Sequence, residues 1–177
     1  IREWEQEQLV RDVRIAQIYE GTNGIQSLDL LGRKVVANKG EFLALYIDEI
    51  GSFIETHQAN EKLSMHIEPL KESLVKLQQA SELVLNMQAS DKNAVGAAAS
   101  DYQAIFGYVS YAYMWLMMAE KALIKLESSK DDFYQAKLLL AEFYMARILP
   151  RLDGHMQALK AGSNTLMAMP ESMFIRN

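Results

Sequence analysis

The sequence predicts an all-α fold, an antiparallel helical bundle preceded by a helix–loop–helix segment. Three observations carry that expectation. The apolar residues Ile67, Leu70, Leu74, Leu77, Val84 and Met87 recur at steps of three and four, interrupted only at Ser81, which is the seam of a helix packed in a bundle or coiled coil. The run from Tyr102 to Ala119 carries no charged residue, as suits a central helix buried nearly all round. The breakers Gly21 and Gly24, Asn38-Lys-Gly40, Pro150 and Gly162 fall between the periodic segments, where turns belong.

The first 40 residues form the helix–loop–helix segment. Glu3, Glu5 and Glu7 precede Arg11 and Arg14, so the first helix starts acidic and ends basic, in keeping with its macrodipole. Val10, Val13, Ile15, Ala16 and Ile18 are expected to form its buried stripe. Gly21 and Gly24 then break the pattern. Thr22 or Asn23 is placed to cap the next helix, with Asn23-x-x-Gln26 resembling a capping box. That helix runs through Ile25, Leu28, Leu31 and Val35. Asp12, beside Arg11, is a candidate for an ion pair anchoring the loop. A boundary is expected at Asn38-Lys-Gly40, with Gly40 in the left-handed conformation, dividing residues 1–40 from a bundle over 41–177.

Within the bundle, one helix presents Leu43, Tyr46, Ile47, Ile50, Phe53 and Ile54, and Thr56 to Glu61 reads as a loop. Ser64 is expected to cap the next helix, with Pro69 tolerated near its start. The uncharged run reaches the ~18 residues of a membrane span. Its tyrosines, the flanking Asp101, Gln103 and a mean hydropathy of −0.09 favour a buried bundle helix. The small residues around Gly96 let a neighbour approach. Asp131 and Asp132 open the last long helix, Arg147 and Arg151 close it, and Phe133, Ala136, Leu140 and Phe143 are expected to face inward. Pro150 is expected to kink or end it, a short helix follows to about Lys160, and a methionine-rich tail from Ser163 is expected to pack on a neighbouring domain or subunit.

Composition removes several functions. A net charge of −5 offers no basic stripe for nucleic acid. With no cysteine there is no disulfide frame, thiolate nucleophile or Cys-based metal site, in agreement with a cytoplasmic location. His57, His66 and His155 lack ligand spacing, and no phosphate-binding glycine loop or nucleophile elbow is present. No metal site is expected.

One stretch carries chemistry: Ile18-Tyr-Glu-Gly-Thr-Asn-Gly-Ile-Gln26. It sets the carboxylate of Glu20 at the head of a glycine-broken turn, beside the unpaired N–H groups of a helix start. A carboxylate so placed suits a base acting on a bound, partly anionic substrate. An exposed glutamate in an ordinary helix connection is the plainer reading.

Arg2-Glu-Trp4, Arg11-Asp12, the run Arg14 to Gln26 and Leu28-Asp-Leu-Leu-Gly-Arg-Lys34 resemble the C-terminal end of acyl-CoA dehydrogenases. The likeness is to the longer bacterial forms with an extra C-terminal helical domain, 3-methylmercaptopropionyl-CoA dehydrogenase-like enzymes among them. The specific motif covers about residues 1–40, and beyond it only helical pattern and size agree. The resemblance implies that Glu20 is the catalytic base, removing the α-proton of an acyl-CoA substrate as a hydride passes to FAD. It implies that the Glu20 N–H holds the thioester carbonyl with Gly21 beside the substrate, and that Thr22, Asn23 and Gly24 contact FAD. It also implies N-terminal helical and middle β-barrel domains of the same polypeptide before residue 1, holding most of the flavin and CoA sites. The chain is then expected to be an inactive fragment of a bacterial, cytoplasmic flavoprotein of fatty acid metabolism, assembled as a homodimer or homotetramer. A non-catalytic helical oligomerisation or interaction module is the alternative.

Overall fold

Every regular element of the computed structural model is helical among its described residues, which are residue 3 and residues 6–175, with the side chain of Met65 set aside. Arg2, Trp4 and Glu5, parts of the expected N-terminal pattern, lie outside them. The elements are α1 (Glu7–Ile18), α2 (Asn23–Leu28) continuing as a π-helical segment (Asp29–Val36), α3 (Glu41–His57), α4 (Ser64–Met87), α5 (Ala94–Leu126) and α6 (Asp132–Phe143). The chain from α6 passes through a second π segment (Tyr144–Ile148) and a 3-10 turn (Leu149–Arg151) into α7 (Leu152–Lys160), then the short α8 (Asn164–Met167). No described helix is long and apolar enough to cross a membrane.

Helix α5 is the axis, and α2, α4, α6 and α7 all pack on it. Tyr102, Ile105, Val109, Ala112, Leu116 and Ala119 are fully buried along it, facing Leu70, Leu77 and Val84 of α4. The expected α3 stripe is buried or half-buried throughout. Ser81, the break in the α4 stripe, is itself buried. Its hydroxyl donates to the Leu77 carbonyl at 2.8 Å and lies 2.8 Å from the Tyr102 hydroxyl. With its one proton committed to Leu77, Ser81 accepts from Tyr102, so the polar interruption of the seam matches a polar group opposite. Burial pushes the Tyr102 phenol up to about 12 and outweighs the downward pull of Ser81. Tyr144 is also shifted upward by burial and donates to the Tyr108 carbonyl at 3.0 Å.

The turns follow their expected chemistry in part. Gly40 sits at φ +83° after Lys39 at φ +56°, a left-handed pair that ends the π segment as Gly40 N–H bonds the Val35 carbonyl at 2.8 Å. Asp131 caps α6 by accepting from the Phe133 N–H at 2.9 Å. Ser64 does not cap α4; it is the first helical residue, Leu63 holds the cap position, and the Ser64 hydroxyl donates to the Glu61 carbonyl at 3.0 Å. The expected loop also lies later, because α3 runs on to His57 and Leu63 is buried in the core.

Three burial expectations are corrected. Phe133, Ala136, Leu140 and Phe143 are exposed; the covered side of α6 runs through Leu138 and the fully buried Ala141 to Tyr144 and Met145. Apolar size pointed to the wrong face, because the small Ala141 is what allows close contact at the helix crossing. In α5, Tyr111, Met114, Met117 and Met118 are exposed, so lack of charge there does not mean burial all round. Helix α1 has no buried residue, and its apolar side chains Val10, Val13, Ile15 and Ile18 find no cover among the described residues.

Two outcomes follow from the Ser81–Tyr102 pair. Ser81→Ala leaves a buried phenol unpaired and is expected to cost about 1–3 kcal/mol in urea unfolding, with part of the loss recovered in the Ser81→Ala/Tyr102→Phe double variant. A double variant no more stable than Ser81→Ala would show that the pair is not coupled. Because the folded Tyr102 pKa is raised from 10 to about 12, its contribution is fully present below pH 10 and is lost as pH rises through about 12. Melting temperature is expected to fall across that window, less steeply in Tyr102→Phe.

Candidate active site

Helix α1 ends at Ile18, and the chain turns through Tyr19, Glu20 and Gly21 before α2 begins at Asn23. Gly21 sits at φ +101°, a conformation that costs a residue with a Cβ. The Glu20 N–H reaches the Gln17 carbonyl at 3.4 Å, a long bond. Thr22 N–H bonds the Tyr19 carbonyl at 3.2 Å, and the Thr22 hydroxyl donates to the same oxygen at 2.7 Å. The Asn23 side-chain amide donates to Glu20 Oε1 at 2.9 Å. The expected capping box is therefore not formed. Thr22 is the cap residue but makes no side-chain cap bond, because its hydroxyl and the Asn23 amide are both spent inside the turn, the latter orienting Glu20.

Glu20, Gly21, Asn23 and Gly24 are exposed and Thr22 is half-buried. The structure thus places Glu20, Gly21 and Thr22 on one open turn, with Asn23 and Gly24 opening α2 directly after it. A Cβ added at Gly21 or Gly24 would meet nothing within 4 Å. The Thr22 hydroxyl oxygen and the Asn23 side-chain carbonyl remain as acceptors, and the Asn23 amide keeps a second N–H donor. The exposed backbone at Gly21 and Gly24 leaves room for a flat group beside the Glu20 carboxylate, and the described residues do not enclose the turn. Among the described residues Asp12 makes no ion pair to the loop: its carboxylate accepts from the Gln8 amide at 2.7 Å, while Arg11 pairs with Glu7 at 2.9 Å. Among the described residues, no cluster of three or more His, Asp or Glu side chains could hold a metal.

What fixes this turn to the bundle lies one helix turn on. Ser27 is 2% exposed; its hydroxyl lies 2.8 Å from the Asn23 carbonyl and also within hydrogen-bond reach of the Gln103 side-chain oxygen on α5. Further along, Leu31 and Val35 enter the core, and Val95 of α5 packs beside Gly32, 3.8 Å from where a Cβ would stand, an ordinary contact distance. The sequence reading passed over Ser27 and used Gln103 only to argue against a membrane span. Their signal was present, since Ser27 stands four residues before Leu31 and Gln103 three before Phe106, each a polar residue at apolar helical spacing.

Residues 46–170 match the family model described as acetyl-CoA dehydrogenase C-terminal like. The broad-specificity linear acyl-CoA dehydrogenase FadE5 of Mycobacterium tuberculosis is 26% identical over 178 residues, covering 95% of this chain and 29% of its own length. A butyryl-CoA dehydrogenase of Syntrophomonas wolfei is 27% identical over 168 residues, 92% of this chain and 27% of its own length. A 3-methylmercaptopropionyl-CoA dehydrogenase of Ruegeria pomeroyi is 26% identical over 167 residues, 91% and 28% respectively. The chain therefore spans less than a third of the length of these curated relatives, and the likeness extends well beyond the motif of residues 1–40. With the all-helical fold and a family match over more than half its residues, the chain belongs to the acetyl-CoA dehydrogenase C-terminal-like family of acyl-CoA dehydrogenases.

Proposed function

We propose that the chain is the C-terminal part of an FAD-dependent acyl-CoA dehydrogenase in which Glu20 is the base. The observation that carries the reading is the oriented, exposed Glu20 carboxylate on the turn Tyr19–Gly24, in a chain whose relatives are acyl-CoA dehydrogenases. The carboxylate accepts the α-proton of an acyl-CoA thioester, and the electron pair of that C–H bond becomes the second bond between the α and β carbons as a hydride leaves the β carbon. FAD, when bound, supplies the acceptor for that hydride.

The chain's own part is to place the proton acceptor. Asn23 holds one carboxylate oxygen of Glu20, leaving the second to face the substrate. The Glu20 N–H gives up its long bond to Gln17 to donate to the thioester carbonyl, where negative charge develops as the α-proton departs. Gly21 leaves room beside it, and Thr22, Asn23 and Gly24 form the edge that contacts FAD. Because the described residues leave Glu20 open to water, exclusion of solvent falls to N-terminal and middle domains of the same polypeptide. Residues 1–40 then close the catalytic domain, residues 41–177 form the appended bundle, and the chain alone gives no turnover. The bundle supports a homodimeric or homotetrameric assembly in the cytoplasm.

Glu20→Gln is expected to change the stability of the chain by less than about 0.5 kcal/mol, since the side chain is exposed. In the full-length polypeptide it should lower turnover by about two to four powers of ten while FAD stays bound. The check is anaerobic mixing with a panel of acyl-CoA thioesters, following loss of the flavin's visible absorbance. Bleaching in the parent but not in Glu20→Gln supports the reading, and bleaching at equal rates in both removes Glu20 from the mechanism. A parent that binds no flavin leaves the non-catalytic helical module.

A further inference from the structure

The α5–α6 hairpin carries an open groove of about 550 Å³, within the ~300–1,000 Å³ usual for small-molecule sites. Its floor is Met114, Met117 and Met118 of α5, closed at one end by Phe133 of α6. All four side chains are exposed, although a surface of this size ordinarily carries charge. The charge that is present is one-signed: Lys121, Lys125 and Lys137 line the groove, and no carboxylate does. This stands out in a chain whose net charge is −5.

The three lysines differ in what they already hold. Lys121 reaches Glu120 of its own helix at 3.0 Å, and Lys137 lies 4.8 Å from the centre of the Phe133 ring. The Lys125 ammonium has no partner among the described residues. The groove therefore offers an adaptable apolar trough, as flexible thioether side chains provide, with a cationic end near the C-terminus of α5, where the helix dipole alone attracts cations rather than anions. Positions 114 and 125 are about 17 Å apart at ~1.5 Å rise per residue. An extended chain of about twelve carbons, with its ~1.5 Å bonds in zigzag, has comparable reach.

We propose that this groove binds the anion of a free fatty acid of medium length, its alkyl chain on the methionine floor and its carboxylate among Lys121, Lys125 and Lys137. The site is separate from the Glu20 turn and does not depend on the dehydrogenase reading. A bilayer surface or a second copy of the chain on this face would give different outcomes in the test below.

The test is photolabelling of the full-length polypeptide with a dodecanoate carrying a diazirine on its chain, the labelled residues being located by peptide mass spectrometry. The dodecanol analogue serves as the neutral control. Label is expected within residues 114–137, competed by unlabelled dodecanoate, and reduced about tenfold in Lys121→Glu/Lys125→Glu, as fits loss of charge-assisted contacts to a carboxylate. Equal labelling by the alcohol, or label unchanged in the double variant, overturns the proposal. So does label confined to other residues, which would mean that the rest of the polypeptide covers this face. A monomer–dimer shift in sedimentation on Met118→Asp, or vesicle binding lost in the same variant, would assign the face to a second copy or to a membrane and would equally overturn it. None of these readouts involves flavin reduction, so the outcome is independent of Glu20.

Discussion

Three consecutive residues of α5 hold three different neighbours, and the arrangement of the bundle depends on that one turn. Asp101 meets His155 of α7 at 2.9 Å, the Tyr102 hydroxyl meets Ser81 of α4 at 2.8 Å, and Gln103 meets Ser27 of α2. Successive side chains on a helix point about 100° apart, so a single turn grips three sides of the bundle. Lower on α5, Ser110 and Tyr113 take up Tyr46 and Glu49 of α3 at 2.9 and 3.2 Å. Apolar burial supplies most of the driving force for such packing. These polar bonds add register, most of all at the buried Ser81–Tyr102 pair, where a slip of α4 would strand a buried hydroxyl. The Glu20 turn inherits its position from the same place: Gln103 locates Ser27, Ser27 closes on the Asn23 carbonyl, and Asn23 orients Glu20.

Helix content, the role of α4 and α5 as core elements, and the punctuation at Gly40, Asp131 and Pro150 were legible because each rests on local chemistry. A periodic stripe, a left-handed glycine and an aspartate ahead of a helix act within one or two turns of chain. Which face of a helix is covered is a tertiary property, and there the reading failed in an instructive way. On α6 the large residues Phe133, Leu140 and Phe143 are outside while Ala141 is buried. Size favours the first set, but close helix crossing favours the second. The π segments at Asp29–Val36 and Tyr144–Ile148 were equally illegible. A widened turn shifts the facing side chains without any composition that marks it.

The candidate site was legible as a motif and only partly as a geometry. Glu20, Gly21 and Gly24 could be placed on a turn from glycine chemistry alone. The Asn23 side chain could not, because a cap bond to the helix start and a bond to Glu20 are both local and nearly equal in cost. The structure takes the second, which converts a residue expected to cap the start of a helix into one that aims a carboxylate. Ser27 and Gln103 show the complementary case. Each reads as a flaw in an apolar stripe until the other is found 76 positions away in sequence.

The uncharged run from Tyr102 to Ala119 admits three physical accounts: a membrane span, a helix buried on all sides, or a helix with two apolar faces. The buried set Tyr102, Ile105, Val109, Ala112, Leu116 and Ala119 advances by threes and fours, and so does the exposed set Tyr111, Met114 and Met118. Both faces are therefore built as helical stripes, and only one of them is covered by the rest of the bundle. A face that had no use beyond contact with water would be expected to carry the charges that ordinary helix surfaces carry. Here charge returns only at Glu120 and Lys121, one turn beyond Met117. The missing charge on the outer stripe is thus a property of the surface in its own right, and it calls for an occupant just as the inner stripe called for α4.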